Sequence, residues 1–143
     1  MRRSILLCFA LALLCGTAAR ASDDTIAAQA RIGAAALRHD QAVLAGTADG
    51  RALIAAASAL AADMRVARAS VVAELPTSPA GRIGRSLLVQ GFVALTAYAE
   101  WEIQLGRAEI DHGTAGLRAS LAGDAAARRA EGTRLVRRGL SLV

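Results

Sequence analysis

The stretch that decides the fold is 73-AELPTSPAGRIG-84. Pro76 and Pro79 cannot sit in a helix interior, whereas Ser78 is a good N-cap and Pro79 suits a first helical turn. One helix therefore ends before Pro76 and another begins at about residue 80. Apolar residues recur at helical spacing on both sides. Upstream, Leu53, Leu60, Met64, Ala67 and Val71 form one stripe, and downstream Leu88, Phe92, Leu95, Ala99, Ile103 and Ile110 form a wider one. Two further corners, Gly46-Thr47 and Gly113-Thr114, each offer a Gly to close one helix and a Thr to cap the next. No stretch alternates with strand period.

These breaks predict helices at about 23–45, 48–75, 80–111 and 115–141. In the first, Ile26, Ala30, Gly33, Leu37 and Leu44 share a face; in the fourth, Leu117, Leu121, Leu135 and Leu142 do so. Short corners force antiparallel neighbours, so the expected fold is all-α, an antiparallel up-down-up-down four-helix bundle. Glycines also recur seven residues apart, at Gly84 and Gly91, Gly106 and Gly113, Gly116 and Gly123, and Gly132 and Gly139. Either close helix seams or a GC-rich coding bias accounts for them.

The N-terminus reads as a signal peptide over residues 1–21. Arg2 and Arg3 precede an apolar run from Ile5 to Leu14, and Ala19-Arg20-Ala21 is a small-residue exit. Ten apolar residues fall short of the roughly 20 that span a bilayer. The expected mature chain is one domain over 22–143, periplasmic or secreted, with no integral membrane segment. Both cysteines, Cys8 and Cys15, lie in the leader, so the mature chain offers no disulfide, thiol nucleophile or thiolate ligand. Its net charge falls from +5 to +2 once Arg2, Arg3 and Arg20 leave. That balance, together with export, argues against a nucleic-acid partner. The chain has no Lys for Schiff-base chemistry, and no covalent-haem motif, nucleophile elbow or phosphate-binding Gly-rich loop.

One cluster carries chemistry. On a wheel of about 100° per residue, Glu102 falls roughly 40° and Glu109 roughly 60° from the centre of the third helix's apolar face. Tyr98 and His112 extend this ridge at either end, and Trp101 sits at its flank. His39 and Asp40 lie at the same end of the first helix. Glu109-x-x-His112 has the spacing of an inward-facing metal pair, so Glu102, Glu109, His112, His39 and Asp40 are the candidate ligands for a single zinc, iron or manganese ion. The opposing reading is a core network in which Glu102 bonds to Tyr98 or to an Arg such as Arg128, while Glu109 and His112 fray into solvent. The favoured function is an exported, non-enzymatic helical bundle of the cell envelope, with no cofactor and no catalytic residues. It would act by contact with a protein partner or as a homodimer, the apolar breadth of the third helix at Leu87, Ala94, Trp101 and Leu105 being the motive. The alternative is a small-ligand or metal-binding periplasmic bundle built on the carboxylate and histidine cluster.

Overall fold

A computed structural model describes the backbone of residues 3–47 and 49–143 and the side chains from Ser22 onward, residue 48 excepted. The predicted leader lies outside the residues with described side chains. Among the described residues the chain is all-helical, with no strand: α1 (Arg3–Ala45), α2 (Gly50–Ala73), α3 (Pro79–Ile110) and α4 (Ala115–Leu140). None of these helices is long and apolar enough to cross a membrane, among the described residues.

The corners are built from caps. Ser78 accepts from the Gly81 N–H at 2.8 Å and Thr114 from the Leu117 N–H at 3.2 Å, as the sequence suggests. The other corner differs. Asp49, not Thr47, caps α2, accepting from the Ala52 N–H at 2.8 Å, while the Thr47 hydroxyl turns back to donate to the Leu44 carbonyl at 2.7 Å. At the end of α3 the left-handed residue is His112 (φ 53°) rather than Gly113. The Gly113 N–H reaches the Ala108 carbonyl at 2.7 Å and the His112 N–H the Glu109 carbonyl at 3.3 Å, which is the double closure of a Schellman cap. A contact no motif announces locks the α2–α3 corner. The Asp23 carboxylate of α1 accepts from the backbone N–H groups of Thr77 (2.9 Å) and Ser78 (3.2 Å). Hydrogen bonding from the Ser78 side chain first, and from the Thr77 backbone second, holds its pKa below the usual carboxylate value.

Helices pack in chain order, α1 on α2, α2 on α3 and α3 on α4, whereas α1 meets α3 and α4 only locally. The core comprises Ile26, Leu60, Met64, Val71, Leu88, Phe92 and Leu95, all fully buried. Two seams of glycine bring backbones together. Gly91 lies against the Gly132 carbonyl and Gly84 against that of Gly139, so α3 and α4 run in opposite directions. Gly50 and Gly106 meet in the same way between α2 and α3. Two of the heptad glycine pairs, 84/91 and 132/139, are thus the two faces of one seam; Gly116 and Gly123 face open space.

Two sequence expectations change here. The buried face of α4 is Ala125, Gly132, Val136 and Gly139, with Leu117 exposed and Leu121 and Leu135 at the edge. Close approach to α3 excludes large side chains from the middle of that face. The breadth of α3 is filled from within, because α2 covers one side of it and α4 the other. Ala94 is buried, and Trp101 and Leu105 pack partly buried against the core, so no external partner is needed there.

Candidate functional site

The five candidate ligands fall in three places. Tyr98 is buried, and its hydroxyl lies beside the half-buried carboxylate of Glu102 one turn on. Burial, then the neighbouring Glu102 charge, pushes the Tyr98 pKa up to about 12. Burial also raises the Glu102 pKa, while the Tyr98 hydrogen bond and the positive charge of Arg129 oppose the shift. The cation facing Glu102 is therefore Arg129. Arg128, the sequence candidate, points 100° away and pairs with Glu131 at 3.0 Å.

Glu109 is exposed, against the expectation of a core-facing carboxylate. The α2 backbone at Gly50 occupies the space beside it, so Glu109 lies over the mouth of an end cleft of about 780 Å³ that also involves Asp49, Arg51 and His112. His112 is exposed there, its backbone serving the helix cap.

Asp40 is 7% exposed and faces α2, where Asp63 lies beside it; its Oδ2 has no hydrogen-bond partner. Burial first, and the Asp63 charge second, raise its pKa, partly opposed by the exposed His39. Among the described residues no three His, Cys, Asp or Glu side chains gather where one metal ion could sit. The cluster read from the sequence is dispersed because Asp40 turns to α2, Glu102 to α4, and Glu109 and His112 to the cleft beside the start of α2.

The raised Asp40 pKa has a consequence for stability. Below the unfolded value of 3.8 both states hold the proton and the fold carries no penalty. As pH rises through that value the unfolded chain ionises first, so stability falls until the folded carboxyl has also ionised. Asp40→Asn is expected to stabilise the protein at pH 7 relative to the parent chain, and to lose that advantage at pH about 3. Urea unfolding of both chains at the two pH values checks this; an advantage independent of pH contradicts it.

Sequence reading missed a second feature, the gap between α1 and α4. It is a cleft of about 440 Å³ lined by Gln41 of α1 and by Arg129, Thr133, Arg134 and Arg137 of α4. Periodicity finds faces that are filled, and this one is not. A third, apolar groove of about 240 Å³ runs between α1 and α2, with Gly33, Ala36 and Ala67 along it and Ile32 and Val66 on its banks. Both of these bank residues are 64% exposed. No protein-family model, curated protein or solved structure matches the chain.

Proposed function

We propose that the protein is an exported, non-enzymatic, up-down-up-down helical bundle of the cell envelope that works by helix-to-helix contact through its α1–α2 face, a second copy of the chain being the first occupant. The carrying observation is that α2 has two apolar faces. Leu53, Ala57, Leu60, Met64, Ala67 and Val71 are buried, and Ala55, Ala59, Ala62, Val66, Ala69 and Ala73 repeat the same 4-3-4-3-4 spacing on the exposed side. Scattered exposed apolar residues are ordinary, but an unbroken stripe with Ile32 beside it is a docking surface.

A second copy is favoured for two reasons. The chain already joins its own helices through small residues at heptad spacing, and the α2 stripe is an unfilled seam of that kind. The spacing is also its own antiparallel complement, with 55 opposite 73, 59 opposite 69 and 62 opposite 66, as a two-fold contact requires. The stripe is about 27 Å long. A specific interface buries at least about 1,000 Å² in total, so the flank of α1 must join the stripe in the contact. Export is supported by the basic, apolar and small-residue order of residues 2–21.

Light scattering tests the reading. The purified chain is expected at twice its monomer mass, and the Ile32→Glu/Val66→Glu chain as a monomer of unchanged helicity. A parent chain that is monomeric throughout, or a dimer that survives both substitutions, refutes it.

A further inference from the structure

We propose that the cleft between α1 and α4 binds a small molecule carrying two or more anionic groups, held by Arg129, Arg134 and Arg137 of α4 with Gln41 of α1. The site lies apart from the α1–α2 face and stands or falls separately from the dimer.

Four observations converge on it. First, charge on α4 is segregated by flank. Glu131 lies on the side of the helix facing α3, paired with Arg128 at 3.0 Å, and Asp124 falls on that same flank of the wheel. The cleft side of α4 presents cations alone. Second, Arg134 and Arg137 have no carboxylate partner among the described residues, the ion pairs there being Arg65–Glu100 and Arg128–Glu131. These two cations, gathered in a concave site without counter-charge of their own, concentrate the potential for an anion. Third, Gln41 lines the α1 wall of the cleft, and its Nε2, shielded from solvent and without an acceptor, is free to pair with an anion once the side chain turns outward. A buried donor left unpaired costs about 1–3 kcal/mol, which an anionic oxygen in the cleft would recover. Fourth, Asp40, the neighbouring acid on α1, turns away toward Asp63 and leaves the α1 wall without a competing carboxylate.

Shape and spacing set the ligand class. Arg129 and Arg137 are eight residues apart, about 12 Å along α4, and Arg134 lies between them. Alanines of α4 separate the guanidinium groups, so the cleft presents spaced cations above a thin apolar floor. Planar guanidinium groups grip carboxylate and phosphate oxygens in pairs. An elongated polycarboxylate or a phosphorylated small molecule meets these donors, and a neutral compound does not. Arg129 also faces Glu102, which makes it the inner anchor, whereas Arg134 and Arg137 are free to close on the ligand.

Isothermal titration at fixed ionic strength tests the assignment, with citrate and pyrophosphate as the probes. Saturable one-to-one binding of either probe is expected, weakened at least about tenfold in Arg134→Ala/Arg137→Ala and unchanged in Arg128→Ala on the opposite flank. Tighter citrate binding assigns the site to carboxylates, and tighter pyrophosphate binding assigns it to phosphates. No saturable binding of either probe, or an equal loss in Arg128→Ala, overturns the proposal. Circular dichroism of each variant separates loss of binding from loss of fold.

Discussion

Phe92→Ala is expected to destabilise the protein by about 3–5 kcal/mol, the largest single effect of any core substitution considered. The ring is fully buried, and its edge lies within about 3 Å of the point where a Cβ on Gly33 would stand. It is thus the main bridge from α3 to α1, a helix that otherwise leans on α2. Truncation removes apolar burial and leaves a cavity that the tightly seamed α2–α3–α4 layer cannot collapse to fill. Domains of this size have total stabilities of only about 5–15 kcal/mol, so the loss is a large share. Hydrogen exchange is expected to rise first in α1. Uniform loss of protection, or a cost under about 1 kcal/mol, contradicts the assigned role.

Gly106→Val comes next, at about 2–3 kcal/mol. A Cβ there would stand 2.7 Å from the Gly50 carbonyl oxygen, a backbone atom that cannot rotate away. Any gain in helix propensity, at most about 1 kcal/mol, is smaller than the clash. Gly123→Ala is the matched control: nothing lies within 4 Å of the added carbon, so only the propensity gain remains and the melting temperature should rise. Thermal unfolding of both variants checks the pair. Equal shifts in the same direction would show that the glycines do not form a seam.

These two substitutions mark where sequence and structure part. Pro76, Ser78, Pro79 and Thr114 announce their corners because their local chemistry is sufficient. Asp49 was obscured by Thr47, an equally good capping residue two positions earlier. The glycine repeat was visible, but its meaning was not: Gly84 and Gly123 look alike until a partner helix is placed beside one and solvent beside the other. The Tyr98–Glu102 ridge was legible from a wheel, since both residues sit in the middle of a long helix with neighbours on each side. Glu109 lay only about 20° further round, yet near the end of α3 the available face narrows and the Gly50 backbone fills it. His39 and His112 depended on the relative rotation of helices, which no single-helix periodicity contains. The α1–α4 cleft had no signature at all, being an absence of packing lined by ordinary arginines.

The pattern that carries the functional reading is the double-faced α2. An inward face of Leu53, Leu60, Met64 and Val71 is expected of any bundle helix; an outward face of five alanines and Val66 at the same spacing is not. Surface helices of this kind ordinarily carry charge opposite their apolar stripe. On α2 the charged residues Asp63, Arg65 and Arg68 lie off this stripe, Arg65 drawn toward Glu100 of α3 at 3.1 Å, while Arg51 closes its N-terminal end.

Disulfide trapping between copies tests that claim most directly. In a chain with Cys8 and Cys15 changed to Ala, Ala62→Cys and Val66→Cys place one thiol opposite the other's position across an antiparallel α2 pair. The account predicts rapid formation of a covalent dimer under mild oxidation, and none when the single cysteine is placed at Gln104 on the outer face of α3. A chain that stays monomeric under oxidation, or a Gln104→Cys chain that cross-links as fast, would contradict it.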